Sequence, residues 1–185
     1  EPRIEEIYRQ MLPSATQSVI ASCVDAEMAA EKQACFMFQP LLELVRQAVA
    51  SGRRVAVFSD TYWSADQLRE LMQSLHDDPV LEKLEVFTSC DAGMGKSDGV
   101  WPHYLAALGV KSGEVVHLGD NPGADVKGPS DYGVHGVLLV QHDKLTQRHV
   151  EDYAQACVQL MPSLRSEEAV PSVFRAMLAQ QMDSQ

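Results

Sequence analysis

Four short, mostly apolar runs, each followed by polar residues and then a helical stretch, most narrowly limit what this chain can fold into. They are Val55-Ala56-Val57-Phe58, Leu84-Glu85-Val86-Phe87, Val115-Val116-His117-Leu118 and Gly136-Val137-Leu138-Leu139-Val140. Runs of this length, bounded by charges and turn residues, suit strands buried in a parallel sheet. Between them the apolar spacing becomes helical. Leu68, Leu71, Met72 and Leu75 follow Ser64, which forms a capping-box pattern with Gln67. Residues 98–109 make another helix, stopped by Gly109, and a short helix is expected at 123–129. Strand and helix alternating at this spacing build parallel β-α-β units, so the expected fold class is α/β with a doubly wound parallel sheet.

Helical patterns flank this core. Ile4, Ile7, Tyr8 and Met11 share one face over residues 2–12, and Ile20, Cys23, Val24 and Met28 do so over 16–33, with Val19 beside them. A third helix over 39–51 stops at Gly52, and two more are expected over 145–159 and 167–183. The expected organisation is a helical, cap-like segment over 1–38, an α/β core over 39–145, and C-terminal helices over 146–185 packed on the core. The C-terminal helix with Val173, Phe174, Met177 and Leu178 is expected to be a packing helix, with an oligomer contact or a link to another domain as the alternative.

Apolar residues make up 45% of the 185, enough to bury a core. Cys23, Cys35, Cys90 and Cys157 show no metal-ligand spacing, so reduced, mostly buried thiols and a cytoplasmic location are expected. No run approaches the ~20 apolar residues of a membrane span. The opening EPRIEEIYRQ is too polar for a signal peptide, and the missing initial Met makes a fragment or a processed chain the expectation. The net charge of -11 repels phosphate backbones, which argues against nucleic acid as a partner. A phosphate site on such a surface needs a metal ion and a local cation.

Ligands of doubly wound sheets bind beyond the carboxyl ends of the strands. The residues there are Ser59-Asp60-Thr61, Thr88-Ser89 and Asp120-Asn121, with Lys96 in the loop after the second strand and Asp125 five residues beyond Asp120. A hydroxyl donates to a phosphoryl oxygen, and a lysine neutralises its charge. Carboxylates hold Mg²⁺, a hard cation that takes oxygen ligands. Taken singly, Ser59 and Thr61 are helix-capping residues, Lys96 a solvated loop lysine and Asp120 a turn residue before Asn121-Pro122-Gly123. Their order on successive strands sets them apart.

That order resembles the motifs of the haloacid dehalogenase (HAD) superfamily. Val55 to Tyr62, with its Ser59-Asp60-Thr61-Tyr62, is similar to the second motif, and Lys96 before a helix to the third. Gly119-Asp120-Asn121-Pro122-Gly123-Ala124-Asp125 is similar to the fourth, GDxxxxD. The gaps also match, 37 positions from Ser59 to Lys96 and 24 from Lys96 to Asp120. Glu6-Ile7-Tyr8 and the pair Glu27 and Glu31 resemble the helical segment of a group of such proteins, some of them fused to glycosyltransferases.

The resemblance implies Mg²⁺-dependent hydrolysis of a small phosphate monoester. Ser59 would bind the phosphoryl group, with Asp60 and Thr61 beside it. Lys96 would stabilise nucleophile and phosphoryl charge, Asp120 would ligate Mg²⁺, and Asp125 would support the metal side.

The family's first motif, an apolar strand ending in Asp-x-Asp, has no counterpart in the 185 residues. Its first Asp is the nucleophile and its second the general acid. One internal substitute exists, a strand over Val19 to Val24 followed by Asp25-Ala26-Glu27, although its apolar positions fit a helix better. Otherwise the central strand belongs upstream in a longer parent protein, or another segment, fused or partner, pairs in its place; this chain by itself is then inactive.

Three other identities compete. A degenerate HAD-like module could bind or regulate without catalysis. Gly95-Lys96-Ser97 suggests a nucleotide-binding loop, but Cys90 stands where that loop needs glycine. A receiver-type sensor would carry its acidic residues earlier. Trp63 and Trp101 are expected in packing or at the site's mouth, and His117, inside a strand, as a satisfied core histidine. His103, His135, His142 and His149 share no ligand spacing.

Overall fold

Strand β1 (Ala56–Ser59) pairs in parallel with β2 (Glu85–Thr88), placing Val57 opposite Val86 and Ser59 opposite Thr88. A second parallel pair joins β3 (Val116–Gly119) to β4 (His135–Leu138), with His117 opposite Gly136. The structure, a computed structural model, describes residues 1–139, and Glu1–Leu138 form one unit. The helices expected over 145–159 and 167–183, with Cys157, His142 and His149, lie outside the described residues.

The protein is mixed α/β with parallel strands, as the apolar runs indicate. Among the described residues the strands form two separate pairs rather than one sheet. The helix layer explains how the pairs stay together. Side chains alternate along a strand, so β1 sends Val57 to one face and Phe58 to the other. Val57 packs against the cluster of Leu42, Val80, Leu81 and Leu84, which includes α3 (Gln39–Ala50) and α5 (Pro79–Glu82). Phe58 packs against Val100, Trp101, Tyr104 and Val134, where α7 (Trp101–Leu108) supplies the two aromatic rings. Trp101 stands edge-on to His117 of β3 at 4.9 Å and lies 5.7 Å from the ring of Phe58. One helix therefore contacts both pairs.

Strand β3 departs from the expectation of burial on both faces. His117 is buried, but Val116 and Leu118 remain exposed. A two-stranded pair covered by α7 on the His117 side buries only alternate residues.

Upstream of β1 the chain is helical. Helix α1 (Ile4–Met11) precedes α2 (Gln17–Ala34), whose N-terminus is capped by Thr16. Ile20, Val24 and Met28 are buried along α2 at four-residue spacing, the pattern of a helix packed on one side. Val24 and Met28 join Ile4, Trp63 and Leu71 in a core, the last from α4 (Ala65–Leu75). This excludes the alternative strand over Val19 to Val24: Asp25 is an exposed residue within α2. Trp63 is a core residue rather than part of the site's mouth.

The capping box expected at Ser64 is formed with Gln67. Gly109 ends α7 with φ +66°, a conformation that glycine adopts at little cost. Helix α7 starts at Trp101 rather than at 98, after a turn through Gly99. The short helix expected at 123–129 is instead a π-helical turn over Pro122–Lys127 leading into α8 (Gly128–Ser130). A four-residue helix, α6 (Ser89–Ala92), follows β2 directly. Of the cysteines expected to be buried, Cys90 is, whereas Cys35 is exposed with its thiol donating to Glu31.

Candidate active site at the strand ends

The carboxyl ends of β1 and β3 carry the polar residues that the sequence singles out. Ser59 closes β1. Asp60 follows, and its carboxylate accepts from the backbone N–H of Lys96 at 3.0 Å. The Lys96 side chain then crosses to the end of β3, where Nζ donates to Asp125 Oδ1 at 2.5 Å. Lys96 thus joins the loop after β1 to the turn after β3. Its side chain is 11% exposed and that of Asp125 4%, so the ion pair is largely shielded from water.

Asp125 accepts three hydrogen bonds. Besides Lys96, Oδ1 accepts from His117 Nε2 at 2.9 Å, and Oδ2 accepts from the N–H of Asn121 at 2.9 Å. Burial by itself would raise the Asp125 pKa, but the bonds from Lys96, His117 and Asn121 outweigh it and bring it down to about 2. Burial pushes His117 the other way, below the ordinary histidine value, against the pull of the Asp125 hydrogen bond. The π-helical turn sets this arrangement. Asn121 Oδ1 caps it by accepting from the N–H groups of Gly123 and Ala124, which brings Asp125 back over β3.

Two glycines allow the close approach. A Cβ on Gly119 would lie 2.2 Å from the carboxyl carbon of Asp125. A Cβ on Gly128 would lie 2.7 Å from the Lys96 carbonyl oxygen.

On the β1 side, burial raises the Asp60 pKa, opposed by the Lys96 N–H and ammonium and reinforced by Glu1 and Asp125. The N–H of Thr61 donates to Ser89 Oγ at 2.8 Å, and Ser89 in turn reaches the Glu1 carboxylate and the Thr61 carbonyl. Thr61 Oγ1 accepts from the N–H of Trp63. Tyr62 donates to Glu27 and Glu31 at 3.1 and 3.2 Å, while Tyr8 donates to Glu27 at 2.5 Å. The hydrogen bond to Glu27, with burial, pushes the Tyr8 phenol up to about 12. Glu27 and Glu31 therefore fasten α2 to α1 and to the loop after β1.

The structure brings Asp60, Lys96 and Asp125 together directly. It sets Ser59 and Thr61 on the β1 side and Asp120 at the end of β3. His117, read from the sequence as a core residue, also belongs to the cluster. Its contact with Asp125 depends on the π-helical turn that folds Asp125 back over β3, so linear spacing could not reveal it. Among the described residues no group of three or more His, Cys, Asp or Glu is arranged to hold a metal ion. Mg²⁺ commonly uses only one or two carboxylates, completing its shell with water and phosphate oxygens. Asp120, a carboxylate at the carboxyl end of β3, has the position and chemistry for such a role.

The Asp125 pKa sets an acid limit. It lies below the unfolded carboxylate value near ~3.9, so its contribution is complete above that pH and is lost as pH falls towards 2. Urea denaturation is expected to lose about 2 kcal/mol through this window, and Asp125→Asn is expected to flatten that loss.

No protein-family model matches the chain, and no curated protein matches it in sequence. No helix among the described residues is long and apolar enough to cross a membrane.

Proposed function

We propose that this chain is the core of a HAD-like, Mg²⁺-dependent phosphohydrolase whose intact sheet is doubly wound, in the order β2, β1, an added strand, β3, β4. The part-buried Lys96–Asp125 pair, spanning the ends of β1 and β3 beside Asp60, carries this proposal. It fixes a cation in an otherwise acidic rim, where the charge of a phosphoryl group must be met. The separation of the strands into two parallel pairs over one helix supports a position for the added strand between β1 and β3.

In the intact enzyme, Ser59 hydrogen-bonds a phosphoryl oxygen, with Asp60 and Thr61 shaping the loop around it. Lys96 neutralises charge on the phosphoryl group and the attacking carboxylate. Asp120 holds Mg²⁺, directly or through water, and Asp125 keeps Lys96 in place. The bound ion would supply electrostatic stabilisation to the phosphoryl oxygens. The nucleophilic carboxylate and the general acid belong to the added strand. The substrate is a small phosphate monoester, and the setting is cytoplasmic.

A non-catalytic, HAD-like binding or regulatory module is the second possibility, favoured by the absence of Asp-x-Asp from the 185 residues. A nucleotide-binding loop has less support, since Ser89–Ala92 form a helix with Cys90 buried. A phosphatase assay with p-nitrophenyl phosphate and Mg²⁺ separates enzyme from module. The 185 residues alone should release no product, and release should begin once a strand ending in Asp-x-Asp is supplied.

A further inference from the structure

We infer that His117 is a positioning residue for Lys96, acting through Asp125. This inference rests on the proposed role of Lys96 in phosphoryl binding, but its geometry stands apart from any substrate. His117 Nε2 and Lys96 Nζ reach the same oxygen, Asp125 Oδ1, at 2.9 and 2.5 Å. An ionised carboxylate only accepts, so Nε2 carries the proton in this contact.

The imidazole has little freedom to turn away. It is 8% exposed, stands edge-on to Trp101 at 4.9 Å and lies 6.2 Å from the ring of Phe58. Its backbone is fixed opposite Gly136 in the β3–β4 pair. Two strands and α7 therefore determine where Nε2 points. Nε2 and the Asn121 N–H grip the Asp125 carboxylate from its two oxygens, which fixes the position at which Lys96 finds its acceptor. Without the histidine donor, Asp125 can rotate about its own side-chain torsions and Lys96 loses a single resting place. In a binding site such loosening matters, because a displaced charge stabilises a reacting group poorly.

The test uses the 185-residue chain and reductive methylation of lysines, followed residue by residue. Lys96 should react slowly and the exposed Lys127 quickly. His117→Leu keeps an apolar side chain in the core but removes the donor. It should raise the Lys96 rate about tenfold, as expected for the loss of one hydrogen bond to a charged group, and leave Lys127 unchanged. His117→Gln is polar and packs less well, yet it retains an N–H donor, so it should bring the Lys96 rate back close to that of the unaltered chain.

A purely structural histidine predicts the reverse order, with leucine tolerated at least as well as glutamine. That order, or an unchanged Lys96 rate in His117→Leu, overturns the inference. If His117→Leu unfolds the chain, His117→Gln decides alone: a Lys96 rate near the unaltered value supports the role, and free methylation of Lys96 in a folded protein refutes it. Binding of inorganic phosphate with Mg²⁺ is measured separately on the unaltered chain. Its absence would count against the phosphohydrolase function and leave the methylation result intact.

Discussion

A chain extended at Glu1 by an apolar strand ending in Asp-x-Asp, through a short Gly/Ser linker, will hydrolyse p-nitrophenyl phosphate with Mg²⁺, while the 185 residues alone will remain at buffer background. The expected gain is at least ~10³-fold, modest beside natural enzymes because an engineered strand will not be placed perfectly. The geometry favours this graft. The Glu1 side chain touches Ser89, just past the carboxyl end of β2, so Glu1 lies at the rim where the proposed strand would finish. Phe58 on β1 and His117 on β3, which would flank the proposed strand, both lie against Trp101. Trp101 Nε1 and Tyr104 OH are buried and have no hydrogen-bond partner among the described residues. Such orphaned donors cost about 1–3 kcal/mol each, so a strand bringing acceptors to them will also raise the urea midpoint. A control strand with Asn-x-Asn should raise the midpoint without producing turnover. Equal phosphatase activity from the unextended chain would remove the need for the strand altogether.

Asp125→Ala will have the largest effect on stability of any single change at the site, about 3–5 kcal/mol in urea denaturation. The loss exceeds that of one ion pair because three donors lose one acceptor. Lys96 keeps a charge at 11% exposure, and His117 Nε2 and the Asn121 N–H are left without the carboxylate. Lys127–Asp131 provides the contrast. That pair is 2.6 Å long, nearly as short, but its side chains are 75% and 57% exposed. Lys127→Ala should therefore cost less than about 1 kcal/mol. Similar losses from both substitutions would mean that the Lys96–Asp125 contact is wetter than its exposure indicates.

The strands were legible in the sequence because their signals are local. Val55–Phe58 and Leu84–Phe87 are short apolar runs, and the helices between them announce themselves through Ser64 with Gln67 and through Gly109. The strand ends, and with them Ser59 and Asp120, follow from the same pattern, whereas Lys96 and Asp125 lie in the segments beyond β2 and β3. What stayed hidden depends on contacts between distant residues. The π-helical turn at Pro122–Lys127 has no periodic signature, yet it decides that Asp125 folds back onto Lys96 and His117. Apolar spacing in β3 suggested burial on both faces, whereas only the His117 side is covered, because burial also requires neighbours that no single strand encodes. The Tyr8–Glu27–Tyr62 contacts join residues 19 and 35 positions apart, too distant for a local pattern to link them.

The most direct measurement follows backbone amide shifts by NMR while Mg²⁺ and inorganic phosphate are titrated into the 185-residue chain. One shared phosphoryl and metal site requires saturable, Mg²⁺-dependent shifts that fall together on Ser59 to Thr61, Lys96 and Asp120 to Asn121, with a common midpoint. Shifts confined to one of those segments, or saturating at different concentrations in each, would mean that the three strand ends do not share a ligand.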